Sequence, residues 1–379
     1  MTMTGRGAVS AFAQHCEWTG ASADDRENWL LARRAGVGGS DVPAIMEVDD
    51  FRSELAVYVD KVSSNPPLEE ESEVADWGRI FEPLILRRFA QKTGRRVVRG
   101  GKLLRSRRAS HHLVTLDGVQ FSKPPPGCKG PGVVEVKTTG YGDAYAQEDP
   151  NDPASALPVR VMLQLQWALY VTGAEWGTVV WLPFPERIMH WVDMAAHRDL
   201  QEQAIAPAVD KFWRRVKRRL PPPPDGSESS ALALRRLYPG ETDEAIVVRG
   251  QLARELTDEY QLNKANLELL KNRQGIIRNL FAATLRESKY AILDDGRFWR
   301  SAAYREREAR CKLCMGVTHT VKPYRTYQPC DPRKKPFHNI VGERALASGS
   351  GDDALMKQLA ESIVGDALPE NEGSEGAAE

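Results

Sequence analysis

No uninterrupted apolar run in this 379-residue chain approaches the ~20 residues that cross a bilayer, and the opening MTMTGRGAVSAFAQ has no hydrophobic signal core. Cysteine is scarce: five, odd in number and scattered, do not form the framework of a secreted disulfide-rich domain. Net charge is absent as well, with 52 basic residues set against 52 acidic ones. No internal repeat is present, which excludes solenoids and propellers. These absences leave a cytoplasmic globular protein without membrane association as the expectation. The 41% hydrophobic content suffices for a main domain with accessory regions.

The balanced total hides a local asymmetry. Between Pro83 and Gly140 stand thirteen Lys or Arg and only two acids, Asp117 and Glu135. Such a block is the footprint of a phosphate-backbone binder, although a solvated basic face has the same composition. Two isolated acids inside it favour the first reading, since acids in a positive surface can hold metal ions against phosphates.

Residues 130–141, GPGVVEVKTTGY, carry the chemistry. Val133, Val134 and Val136 read as a buried strand, while Glu135 and Lys137, two residues apart, share one face of it. Burying an ion costs on the order of several kcal/mol unless it is paired or bound to metal. A hairpin from TLDG to VEVK brings Asp117 beside Glu135, and Glu82 in WGRIFEPL on the preceding helix offers a third carboxylate. A hard cation such as Mg²⁺ takes carboxylate oxygens and keeps several waters; Lys137 is placed to hold or deprotonate a water for attack on phosphorus. The short D…E-x-K pattern alone fits a surface salt bridge as well, and Glu82 alone fits a helix's first turn.

Around this core the pattern predicts helices at 24–35, capped by Asp24 or Asp25; from Val42, capped by Ser40 or Asp41; and at 73–94, with apolar Ile80, Leu84, Ile85 and Phe89 and with Pro83 in its first turn. RRVVRGGKLL, HLVTLDGVQF and GVVEVKTT read as strands, PVRVMLQLQWALYVTG as a helix closed by Gly173, and GTVVWLPF with RIMHWVDM as a strand pair. HRDLQEQAIAPAVDKFWRRVKRRL is a further helix. Residues 1–22 are expected to be disordered and 23–220 to form the main domain. Residues 221–244 read as a Pro-rich linker, beginning PPPPDGSESS. Residues 245–346 read as a helical and hairpin accessory region, and 347–379 as a disordered acidic tail. In the accessory region Leu252, Leu256, Tyr260, Leu267, Leu270, Ile277 and Phe281 trace one face of a long helix broken at Gly275, with a hairpin around Asp295 and Gly296. His111 and His112 are expected on a solvated basic edge, Trp167 and Tyr170 in the core.

The order R-x-G-V-G-G-S-D, G-x-x-F-E-P, L-D-G, V-E-V-K and M-L-Q-L-Q-W-A-L-Y-V-T-G, spanning about residues 26–220, resembles the YqaJ-type viral recombinases. These are phage exonucleases similar to lambda exonuclease within the PD-(D/E)XK nucleases. The resemblance implies an α/β fold of restriction-endonuclease type, a mixed central sheet flanked by helices, here followed by a C-terminal helical and hairpin extension. It implies Glu82, Asp117, Glu135 and the carbonyl of Val136 as metal ligands, Lys137 as the catalytic lysine, and Gln164 as the residue that positions Lys137 or the scissile phosphate. Ser40, with Arg33 or Arg34, would bind phosphate. The implied cofactor is Mg²⁺, with Mn²⁺ able to substitute. The implied activity is resection of double-stranded DNA ends, 5′ to 3′, for recombination, beside a phage single-strand annealing protein and in a homo-oligomer, in the cytoplasm of the bacterial host. Leu116 departs from the Pro that often precedes the Asp. A repair endonuclease on the same core and a catalytically inactive DNA-binding recombination factor are the alternatives.

One motif lies outside that resemblance. Cys311, Cys314, Cys330 and His338 follow C-x2-C-x15-C-x7-H, a spacing that suits structural Zn²⁺. Cys16 with the three late cysteines mimics the order of an iron–sulfur nuclease, and unligated thiols remain the third reading.

Overall fold

The computed structural model describes residues 10–63, 73–139, 157–184, 187–240, 245–293, 297–304, 307–310, 317–321 and 324–330. The chain divides into two compact units, Met1–Asp243 and Glu244–Glu379.

The first unit begins with strand β1 (Cys16–Ser22) and helix α1 (Arg26–Arg33), whose cap is Asp25, accepting the Asn28 amide at 3.3 Å. A 3₁₀ turn over Gly39–Asp41 runs into α2 (Val42–Ile45), followed by α3 (Glu54–Val62) and the long α4 (Glu73–Thr93). Strands β2 (Val97–Arg99), β3 (Lys102–Ser106), β4 (Leu113–Thr115), β5 (Gly118–Gln120) and β6 (Gly132–Thr139) come next. Then follow α5 (Val159–Thr172), β7 (Trp176–Pro183), β8 (His190–Ala195), α6 (Ala206–Arg218) and α7 (Glu228–Leu237). Gly173 closes α5 in the left-handed region at φ 70°, as its place in the sequence predicts.

Five strands form a mixed central sheet in the order β2-β5-β6-β7-β8, antiparallel except for the parallel β6–β7 pair, which α5 bridges. A second, antiparallel sheet has the order β1-β3-β4. The main core joins the two, with Trp167, Leu165, Ile205 and Phe212 fully buried between sheet and helices. A smaller cluster sets Ile85, Leu86 and Phe89 of α4 against Val134, Val136 and Val180. The fold is thus the mixed α/β sheet flanked by helices that the sequence predicts.

Several elements differ from expectation. Residues 16–22, expected to be disordered, form β1, because Cys16 is buried and the segment pairs with β3. The 221–244 linker contains α7, capped by Ser227; its Ser229 hydroxyl accepts the Ser53 amide at 3.0 Å, and Ala233 enters the core. Pro83 lies in the middle of α4, not its first turn, and the turn before it is partly solvent-exposed. Ile80 and Leu84 are about half exposed; the stripe 85, 86 and 89 is buried against the sheet, with Phe81 packed at its edge.

In the second unit α8 (Gln251–Leu285) is continuous through Gly275, since one glycine costs only about 1 kcal/mol against alanine in a helix. Its end packs on a sheet of order β13-β10-β9, built from β9 (Tyr290–Ile292), β10 (Phe298–Tyr304) and β13 (Tyr324–Cys330), with Phe281 stacked on Trp299. Strands β11 (Arg307–Arg310) and β12 (Val317–Val321) form a separate pair. The expected hairpin is the β9–β10 pair, its turn at 294–296 lying outside the described residues. The 347–379 tail also lies outside them. Among the described residues no helix is long and apolar enough to cross a membrane.

Candidate active site

Two backbone crossings build the site. Chain segments 99–102 and 115–118 pass side by side from one sheet to the other, joined by Gly100 N to Asp117 O at 2.9 Å and Gly101 N to Leu116 O at 2.8 Å. RRVVRGGKLL and HLVTLDGVQF, which read as single strands, are each split here, into β2 and β3 and into β4 and β5. Gly100 is required at this point because a Cβ on it would lie 2.0 Å from the Leu116 carbonyl oxygen. Asp117 therefore sits at the break between two sheets.

The register Gly118↔Val134, carried one residue further, sets Asp117 opposite Glu135. The Val136 amide donates to Asp117 Oδ2 at 2.8 Å. A strand residue's amide and carbonyl share an edge, so the Val136 carbonyl lies on the Asp117 side. Lys137 Nζ donates to Glu135 Oε1 at 2.7 Å and to Gln164 Oε1 of α5 at 2.6 Å. Glu82 enters from α4, its Oε1 3.5 Å from Arg99 Nε. Gln166, two residues past Gln164, faces away and bonds Ala195, His197 and Gln201.

Electrostatics mark these acids as a set. Burial, then the charges of Glu135 and Glu82, push the Asp117 carboxyl well above its ordinary range against the opposing pull of Lys137 and the Val136 amide. Glu82 is raised too, first by burial and then, after the opposing effect of Arg99, by Glu135. Three half-buried carboxylates in one another's field constitute a donor set that suits a hard divalent cation.

The arginine and serine of RRAGVGGSD form a second cluster. Arg33, not Arg34, donates to Ser40 Oγ, at 2.7 Å, and its guanidinium lies 4.7 Å from the Trp29 ring centre. Ser40 sits inside the 3₁₀ turn as this acceptor and does not cap α2. Behind it Asp41, 1% exposed, receives Lys61 at 2.7 Å, Arg52 at 2.8 Å and the Gly38 amide at 2.9 Å. Burial alone would raise its pKa, but Lys61, Arg33 and Arg52 together hold it below the carboxylate range; burial lowers Lys61 to about 8. Arg26, Arg33, Arg34, Arg52 and Lys61 line a cavity of about 1100 Å³ with Arg235 and Arg236 of α7. Sequence reading missed Asp41, Arg52 and Lys61 as members of this cluster. Asp41 stands beside Ser40 and carried a signal; Arg52 and Lys61 arrive only through folding.

Trp167 is fully buried and Tyr170 packs against the core, as expected. His111 and His112 are not on a solvated edge: both reach Asp210 of α6, and His112 is buried, because the residues that open β4 are covered by α6. Cys311, Cys314 and His338 lie outside the described residues, and Cys330 is placed only as the last residue of β13.

Residues 28–175 match the family model of the YqaJ-like viral recombinase domain. This segment is similar to YqaJ-like viral recombinase domains. The YqaJ-like segment contains both clusters, from Arg33 and Ser40 to Gln164. The uncharacterized protein YqaJ of Bacillus subtilis (strain 168) is 23% identical over 270 residues, 71% of this chain and 81% of that protein. Among solved structures, an alkaline exonuclease from Laribacter hongkongensis is 17% identical, with a TM-score of 0.40, over 51% of this chain and 94% of its own. A phage-related exonuclease from Haemophilus somnus 129PT is 11% identical, with a TM-score of 0.36, over 49% and 96%.

Proposed function

We propose that the protein is a Mg²⁺-dependent exodeoxyribonuclease of phage type that resects duplex DNA ends from 5′ to 3′. The observation that carries this reading is Lys137 held between Glu135 and Gln164, with half-buried Asp117 alongside, bonded by the Val136 amide. Glu82, Asp117, Glu135 and the Val136 carbonyl would hold the cation, and Mn²⁺ would serve in its place. When bound, the cation supplies Lewis acidity and charge neutralisation at the phosphate. Lys137 contributes a positively charged donor at the edge of that site, oriented by two acceptors at 2.7 and 2.6 Å. The ammonium can hold a water, or stabilise charge on a phosphate oxygen. Gln164 keeps Lys137 from collapsing fully onto Glu135.

Arg33 and Ser40 are proposed to hold a 5′-terminal phosphate, with Arg34 in the same cavity wall. A terminal phosphate carries more charge than an internal one, and a basic cavity distinguishes them electrostatically. Double-stranded DNA ends are the proposed substrate, an annealing protein the partner, and a homo-oligomer the assembly. A Zn²⁺ at Cys311, Cys314, Cys330 and His338 remains part of the proposal, read from their spacing.

End-labelled linear and closed circular duplexes, digested with Mg²⁺, test the reading. The expected outcome is loss of linear DNA only, faster from 5′-phosphate than from 5′-hydroxyl ends, with Lys137→Ala lowering the rate at least a hundredfold. Cutting of circles would replace it with an endonuclease. Duplex binding without hydrolysis of either substrate would leave a DNA-binding factor.

A further inference from the structure

We infer that His111, His112 and Asp210 form a second metal site, separate from the acidic one, that takes a transition-metal cation of the Zn²⁺ or Co²⁺ class. Two imidazole nitrogens and a carboxylate oxygen lie within 4.8 Å of one another. His111 Nε2 stands 2.6 Å and His112 Nε2 2.9 Å from the same oxygen, Asp210 Oδ1. Donors around a cation with bonds of ~2.0–2.2 Å sit roughly 3–3.5 Å apart, so these gaps need open only by a few tenths of an ångström.

The rings are held in place without a ligand. The backbone between them is pinned by Val37 N to His111 O at 2.7 Å and Leu113 N to Val37 O at 2.9 Å. His111 stacks on Trp213 with an interplanar angle of 2°, and His112 packs edge-on against Trp167, 4.9 Å between centroids. Neither imidazole can swing away without losing an aromatic contact. The carboxylate end is open: the Asp210 side chain is 42% exposed, so a cation has a path in and water can complete its shell.

Nitrogen-rich donors select against Mg²⁺, which prefers oxygen and an octahedral shell, and favour zinc-class ions. Burial, the largest influence, lowers the His112 pKa and favours the neutral imidazole, whose Nδ1 is buried without a hydrogen-bond partner. Coordination through Nε2 moves the His112 proton onto that unpartnered Nδ1. The orphan donor weakens the site relative to closed structural zinc sites, whose ligating histidines donate their second nitrogen to a partner.

Co²⁺ titration of the full chain under excess Mg²⁺, followed by visible absorption and bound cobalt after dialysis, tests the site. Expected is a nitrogen- and oxygen-ligand spectrum, separate from any thiolate charge-transfer band, which would belong to the proposed cysteine site. It should persist in Asp117→Asn, and its half-saturation should rise at least tenfold in Asp210→Asn. If Asp210→Asn fails to fold, as judged by circular dichroism, His111→Gln carries the same expectation. Absence of uptake, a thiolate band alone, loss of binding in Asp117→Asn, or unchanged binding in the histidine and Asp210 variants would each overturn the assignment and leave a hydrogen-bonded triad.

Discussion

At the residue scale, half-buried Asp117 and buried Asp41 are acids with opposite charge preferences. Asp117 has a raised pKa, so it keeps its proton to higher pH folded than unfolded. Its stabilising contribution is complete below the unfolded value and is lost as pH climbs through the folded one. Metal-free protein should therefore lose thermal stability as pH rises from about 4 into that raised range. Asp117→Asn should flatten this dependence and raise the melting temperature in chelator at neutral pH. A melting curve series with an unchanged slope would contradict the electrostatic argument. Asp41 is the reverse case, an anion surrounded by Lys61, Arg52 and Arg33. Asp41→Asn leaves Lys61 buried without its counter-charge, and the expected loss is about 3–5 kcal/mol by urea denaturation. Both acids stand in legible motifs, TLDG and GGSD, yet only folding distinguishes their charge states, because Lys61 and Arg52 come from other segments.

At the element scale, the paired crossing at Gly100 and Leu116 determines where Asp117 points. Gly100→Ala places a methyl group into a carbonyl oxygen 2.0 Å away. The backbone must shift, and the expected destabilisation is about 1–3 kcal/mol, with a larger proportional loss of nuclease rate than of duplex binding. Equal losses in the two assays would argue that the crossing supports the fold without aiming Asp117. The β5–β6 hairpin was visible in the alternation of VEVK, but the change of sheet was not, because a strand that switches sheets keeps the same alternation. Helix α4 shows a related limit. Its apolar residues at 80 and 84 fit the periodicity, while the face buried on the sheet is 85, 86 and 89, with Phe81 beside it.

At the scale of the molecule, every residue of the proposed nuclease site lies in the first unit, residues 1–243. A chain ending at 243 should keep whatever cleavage the full chain shows under the proposed Mg²⁺ conditions, and a melting transition within a few degrees of the corresponding one in the full chain. Loss of cleavage with that transition intact would give the second unit a part in the reaction. The basic block of residues 83–140 is also redistributed by folding. Arg95 is tied to Asp193 at 2.5 Å, Arg105 to Glu17 at 2.9 Å and Arg99 to Asp24 at 3.0 Å, acids that lie outside the block. Charge counted along the chain thus overstates the charge left for phosphate.

Sequence alone carried the Asp117–Glu135–Lys137 grouping and Glu82 as a third carboxylate, because each rests on a motif a few residues long, while the mixed α/β class and the place of Gln164 rested on the family resemblance those motifs carry. Tertiary structure decided which of Arg33 and Arg34 meets Ser40, that 16–22 and 228–237 are built into the fold, and that His111 and His112 meet Asp210. Apart from Arg33 and Ser40, which are seven residues apart, those outcomes depend on contacts between segments tens of residues apart. Their energies come from burial and charge pairing that no local pattern records.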